Sequence, residues 1–413
     1  MEPLQQKAHF LRRATGGATL EELNRDVAPA TWLSQWLNTP PVTVPQLPGL
    51  PNDPKLLTEI RQQLINWILT QTITASNPFH ERIVSFWRDY FVISLRKTNN
   101  PYMVADYERR LRTYAFGDFQ ELLFQVTTSP AMLHFLDGRQ NRKGNINENY
   151  SREVKELFTI GRGNYTETDV QEGARALTGW RIETDLQAGT TTSVFRPGQH
   201  DNGRKTYLGQ TGNFKTEDVV AILANHPQTS RNLATRLWST FVYPNPEASI
   251  IDRLAAVYRQ NNRSLGKLIE AVFTSPEFYS ERAYRSQIRT PQEFMTGSLR
   301  QLQIQADPKR VGNALRSMGQ PFYNPATVRG WTNDEGWLTA PSLITRLNLA
   351  RQFTLSTGDA AGFKFDREKF SKEALLALLL DNNPGQSIGG NTSNLSIGEF
   401  AALLLSTPLY QLA

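Results

Sequence analysis

The chain contains no cysteine. Disulfides, thiol catalysis, iron–sulfur centres and cysteine-bound zinc are thereby excluded together. Histidine is scarce: His9, His80, His134, His200 and His226 are the full set. No apolar run approaches the length of a membrane span, and residues 1–7 lack the core of a signal peptide, so the sequence predicts a soluble, cytoplasmic chain. There is no run of five basic residues, no zinc-finger spacing and no nucleic-acid module. Nucleic acid is therefore not an expected partner. The net charge of +6, from 45 Lys and Arg against 39 Asp and Glu, favours anionic partners only modestly. Nor is any nucleophile triad, phosphate loop or known metal-ligand spacing complete.

What is present describes a globular protein: 413 residues, 39% apolar and 20% charged. Helical spacing, punctuated by Gly and Pro, runs over 4–14, 20–26, 32–37, 55–72, 80–91, 104–116 and 119–127. It returns over 216–225, 228–242, 249–260, 265–273, 291–302, 309–318, 340–355, 371–380 and 397–405. Residues 40–54 read as a proline-rich connector. The expected fold is mainly α, an irregular multi-helix globular fold with one small β-hairpin at 181–196. It is read as a single unit over 1–413, with two lobes (about 1–180 and 210–413) joined by 181–209 as the finer division. Asp118, Ser264 and Ser396 each precede a helical run and a Pro twelve residues later. This repeat reads as a capped helix stopped by Ser/Thr-Pro, a structural device.

Residues 147–157 (Asn-Glu-Asn-Tyr-Ser-Arg-Glu-Val-Lys-Glu-Leu) concentrate groups that carry chemistry. At 100° per residue, Tyr150, Val154, Leu157 and Phe158 form a buried stripe, and Ser151 and Lys155 point toward water. Asn149, Arg152, Glu153 and Glu156 share a third ridge, where neighbours can pair directly. Gly161-Arg162-Gly163-Asn164 ends this helix. Thr168 with Gln171 signals the start of the next, which bears Asp169 and Arg175 and runs antiparallel to the first. Asp169 suits a helix start, whereas Arg175 and Trp180 have no evident structural excuse. The hairpin then delivers a loop holding His200, Asp201 and Lys205, and loops on a rigid frame are where binding groups concentrate. Asp-Asn-Gly at 201–203 is also an ordinary turn.

These segments, with Phe86-Trp87 and Phe91, 165–170, 174–180, Leu208-Gly209, His226-Pro227, 318–321, Gly330-Trp331, Trp337-Leu338 and 346–348, resemble the domain of unknown function 1800 family of bacteria. The match is ordered from about Ala8 to the last residues. The resemblance implies that Asn147, Glu148, Asn149, Tyr150, Arg152, Glu153, Asp169, Arg175, Thr178, Gly179, Trp180, His200, Asp201, Lys205, His226 and Arg231 belong to the family signature. It also implies that many members are exported, and that many are encoded beside a protein of the sulfatase and alkaline phosphatase class. That neighbour points by association to anionic or saccharide substrates. This chain has Arg88-Asp89-Tyr90 where the family usually shows His-Asn-His.

Three classes of function follow. One is a hydrolase or related enzyme acting on a polar, anionic or saccharide substrate. Glu148, Glu153, His200 and Asp201 would then carry catalysis; Asn149, Arg152, Asp169, Arg175, Trp180, Lys205 and His226 would hold the ligand. A divalent zinc, manganese or iron ion is a candidate cofactor on His200, Asp201 and the 148–156 carboxylates, although Tyr90 removes one nitrogen ligand. The second is a binding protein using the same pocket. The third is a scaffold in which the polar motif is a buried network fixing the two helices to the hairpin. Arg175 is expected to pair with carboxylates of the 148–156 helix and hold the two segments together, leaving part of the carboxylate ridge open to a ligand. A raised carboxyl pKa beside a pocket favours catalysis; full pairing without a pocket favours the scaffold.

Overall fold

The computed structural model describes residues 1–49, 54–331, 335–356, 362–383, 388 and 392–413. Residues 50–53 of the proline-rich connector lie outside them. Among the described residues the fold is mainly α: nineteen α-helices and three two-stranded antiparallel sheets. Helix starts follow local chemistry. Asn77 caps Pro78–Tyr90, Asn100 caps Pro101–Tyr114 and Asp118 caps Phe119–Thr127, each accepting a backbone N–H from the first turn. Proline at the first helical position adds a pre-set φ and lacks a donor that would go unused.

The core is aromatic where the first helices meet. Phe10 stacks on Trp36 at 5.9 Å, Trp36 on Phe79 at 5.7 Å, and Phe273 meets Phe79 edge-on at 5.2 Å. Interior charge accompanies it. Glu108 is fully buried and accepts Arg88 Nε at 2.6 Å and Arg88 Nη2 at 3.0 Å. Arg112 Nε at 3.2 Å and the Tyr323 hydroxyl complete its shell. Arg112 also pairs with Glu81. The first helix, Pro3–Thr15, is held from far along the chain: Arg12 bonds both Asp381 oxygens, at 3.0 and 2.8 Å, and His9 Nε2 lies 2.9 Å from the Phe278 carbonyl.

The first two copies of the capped-helix repeat meet. Phe119 N–H donates to the Arg263 carbonyl at 3.1 Å and Leu265 N–H to the Gly117 carbonyl at 2.8 Å, which makes a reciprocal bridge between Asp118 and Ser264. Strand structure exceeds the single hairpin expected. Trp180–Asp185 and Thr190–Phe195 form that hairpin. Lys205–Tyr207 and Gln210–Gly212 form a second around Leu208 and Gly209, whose positive φ values of 48° and 77° suit a tight hairpin turn. Gln305–Ala306 pairs with Phe363–Lys364 as a third. Two- and three-residue strands are too short for alternation to register. No helix of the described residues is long and apolar enough to cross a membrane.

Candidate functional site

The polar motif forms the helix Asn149–Glu156, and its buried side is wider than the apolar stripe. Tyr150 and Val154 are buried as expected, but so are Ser151 and Lys155, which the periodicity sends to water. The reason is the second hairpin. Lys205–Tyr207 packs on the helix Glu167–Ala176 and lays the Tyr207 ring 5.0 Å from Lys155 Nζ. Lys155 Nζ donates to the Ser151 carbonyl at 2.6 Å and to Ser151 Oγ at 2.8 Å. Gly173 closes the seal: a Cβ there would stand 2.7 Å from Ser151 Oγ, 2.8 Å from Lys155 Nζ and 2.9 Å from the Tyr207 ring. Burial drives the Lys155 ammonium down to about 7.

The next helix starts at Glu167, with Thr166 as its cap and Asp169 completing a capping box, two residues before the start expected from Thr168. Asp169 also accepts Leu208 N–H at 2.7 Å, which ties the second hairpin to that helix. Arg175 does not reach the Glu148–Glu156 carboxylates as expected. Its Nη1 lies 2.9 Å from both Glu172 oxygens, and its Nε donates to Asp201 Oδ2 at 2.8 Å. Arg175 sits at the end of its own helix beside the returning loop, so these carboxylates are nearer. The guanidinium holds the Asp201 carboxyl down near 2. Lys205 Nζ caps the carbonyls of Asp201 at 2.6 Å and Gly203 at 2.9 Å.

His200 is buried, with Nδ1 3.0 Å from the Thr178 carbonyl, while the Thr178 hydroxyl accepts Asp201 N–H at 2.8 Å. Burial holds the imidazole below its usual pKa. Trp180 is half-buried, lies between Phe124 and Phe195, and donates its indole N–H to Thr216 at 2.9 Å, so it is a packing residue rather than an open stacking wall. His226 Nδ1 accepts Gln228 N–H and caps the helix Pro227–Phe241. His200, Asp201, Arg175, Lys205 and Asp169 thus form one clamp around the hairpins, and His226 stands apart as a helix cap. The two candidate metal ligands serve different partners, Thr178 and Arg175. Among the described residues no three His, Asp or Glu side chains are placed to hold a metal ion.

The remaining candidates lie on the ridge of Asn149–Glu156. Asn149 is exposed; Arg152 binds Glu167 through two bonds of 2.7 Å and lies 3.5 Å from Glu148. Further along, the ridge meets an open cleft of about 420 Å³, lined by Tyr90, Glu156, Asn232, Arg236, Ser239 and Arg329 among others. Glu156 accepts Arg162 at 2.6 Å, Arg329 at 2.8 Å and the Tyr165 hydroxyl at 3.1 Å. The Glu153 carboxyl, one turn back, accepts no hydrogen bond from the described residues; burial and the neighbouring Glu156 charge raise its pKa. Arg236 faces Asp89 at 3.5 Å.

The substituted triplet now has an account. Arg88 belongs to the Glu108 network, and Asp89 receives Trp331 N–H at 3.0 Å. Tyr90 bonds the Phe158 carbonyl at 3.0 Å and forms part of the cleft wall. The sequence reading missed Arg236, Asn232 and Arg329. For the helix Pro227–Phe241 a signal existed: Asn232, Thr235, Arg236 and Ser239 fall at helical spacing on one polar ridge.

No curated protein and no solved structure matches the chain. The family model described as "Protein of unknown function (DUF1800)" matches residues 9–412, nearly the whole chain, and the protein belongs to that family.

Proposed function

We propose that the protein binds an anionic, hydroxylated ligand of saccharide type in the Glu156–Arg236–Arg329 cleft and acts on it as a hydrolase-like enzyme. Glu153 is the proton donor and acceptor in this reading. The observation that carries it is a half-buried carboxyl, unclaimed by any donor and raised in pKa, one turn from a second carboxylate held by two arginines and a tyrosine. Carboxyl groups in contrasting surroundings are a usual basis of acid–base work. Arg236 and Arg329 supply the charge for a carboxylate, sulfate or phosphate. Asn232, Thr235 and Ser239 suit hydroxyl groups.

In the same proposal Glu148, Asn149 and Arg152 form the outer rim. Asp169, Arg175, His200, Asp201 and Lys205 are positioning residues that fix the hairpins against the helix bearing Glu153. A sulfatase- or phosphatase-like partner and an exported location belong to this reading through the family resemblance alone. Galacturonate is a suitable probe, titrated against the full chain by calorimetry. We expect binding that Arg236→Ala and Arg329→Ala together weaken at least about tenfold. Glu153→Gln should leave the melting temperature unchanged or slightly higher at neutral pH, because the raised carboxyl is a cost to the folded state above its pKa. It should also remove the part of the pH dependence of binding that comes from the raised Glu153 carboxyl, leaving that of the ligand's own carboxyl. Binding indifferent to both arginines would end this assignment.

A further inference from the structure

A second cleft lies away from the polar motif, between the helix Pro54–Thr74, the helix Pro308–Ser317, the segment after Pro78–Tyr90 and the turn at 321–324. It is the roomier of the two, about 780 Å³, within the range of sites that enclose small molecules. Four of its lining residues are cations, Arg61, Arg96, Lys309 and Arg316, and none is a carboxylate. Among the described residues none of the four charged side chains has a hydrogen-bond or ion-pair partner. Several arginines elsewhere in the molecule are closely paired with carboxylates: Arg12 with Asp381, Arg82 with Glu293, Arg112 with Glu81 and Glu108. Concentrated positive charge without internal counter-charge, in a concave wall, is built for an anion from outside.

The placement of the four sets the shape of that anion. Lys309, Gly312, Asn313 and Arg316 follow one face of their helix, so the two cations stand roughly 10 Å apart along its axis. Arg61 comes from the helix Pro54–Thr74 and Arg96 from the segment after Pro78–Tyr90. The carboxamides Gln62, Asn99, Asn313 and Asn324 stand among the cations, and Ile65, Leu69 and Phe322 supply apolar surface. Cations select anionic groups, carboxamides bond hydroxyls in either sense, and apolar surface accepts the carbon face of a sugar ring.

We propose that this cleft is a second binding site, for a small sugar bearing two or more phosphate or sulfate groups. It is independent of the Glu156–Arg236–Arg329 cleft and needs no chemistry there. Phosphate and sulfate present the same oxygen geometry to the guanidinium groups, so the test uses both.

The experiment is calorimetric titration of the full chain with fructose 1,6-bisphosphate, with a disulfated disaccharide, and with inorganic phosphate and fructose as references. Wild type should bind at least one of the two polyanions no less than about tenfold more tightly than inorganic phosphate, with affinity falling as salt rises. The double variant Lys309→Glu, Arg316→Glu should lose that preference and keep its melting temperature, since both side chains are exposed and unpaired. Arg236→Ala with Arg329→Ala should leave it intact. Preference for the bisphosphate alone identifies phosphorylated sugars, and preference for the disaccharide alone identifies sulfated ones. Affinity no better than inorganic phosphate for both, or binding that survives the charge reversal, overturns the proposal. So does binding lost only with Arg236 and Arg329.

Discussion

Glu108→Ala is expected to cost about 3–5 kcal/mol of stability, enough to remove much of what a globular fold of this kind possesses. The carboxylate is fully buried and is the meeting point of Arg88, Arg112 and the Tyr323 hydroxyl. Burial alone would raise its pKa, but Arg88 and Arg112 outweigh it and hold the carboxyl below its usual value. Deleting it leaves Arg88 with one distant carboxylate, Glu81 at 3.8 Å, inside the protein. Urea denaturation at neutral pH measures the loss. A change smaller than about 1 kcal/mol would show that water reaches the arginines and that the network is not a closed one. The sign with pH is also fixed. A depressed carboxyl contributes stability above its unfolded value and gives it up as pH falls through the lower folded value.

Lys155→Met should act in the opposite direction and stabilise the protein, on the order of 3 kcal/mol at pH 7, after allowance for the two lost hydrogen bonds to Ser151. The folded state holds this lysine near 7, against a usual 10.5. The unfolded chain therefore binds the proton more tightly throughout that interval, and wild-type stability rises as pH increases from about 7 toward 10.5. Methionine fills similar volume and has nothing to titrate. Paired denaturation curves at pH 7 and pH 10 give the result directly. Equal pH slopes in the two proteins would mean that Lys155 keeps its proton while buried, and the sealed pocket beneath Gly173 would have to be re-read.

The mainly helical fold was legible because long periodic segments dominate and because caps and prolines mark their ends. The helix 340–355 agrees with Ala340–Leu355 at both ends, and Thr339 caps it. Lys155 was not legible: periodicity reports which face is apolar, and nothing local reveals that a hairpin fifty residues later will cover a polar one. Arg175 was misassigned for a related reason. Its unusual setting was visible, but the choice between the carboxylates of the 148–156 helix and Asp201 depends on where the loop returns. The cleft beside Glu156 escaped notice because its walls come from four separate segments, around residues 90, 156, 232–239 and 328. The polar ridge at 232–239 is the one part that spacing could have revealed.

The anchoring of the first helix bears on the order in which the molecule is made. Arg12 precedes its partner Asp381 by 369 positions, and Arg13 donates to the carbonyls of Val242 and Ala283. At translation rates of 5–20 residues per second, that helix waits roughly 20–70 s on the ribosome before its last contacts exist. An apolar helix left uncovered for so long would invite association with its neighbours on a polysome. Adjacent guanidinium groups on the face destined for the interior keep the waiting segment hydrated; Arg13 finds carbonyl acceptors at Val242 and Ala283, and Arg12 meets its counter-charge only when Asp381 arrives. The ion pair that closes this part of the interior is thus completed only after residue 381 has been synthesised.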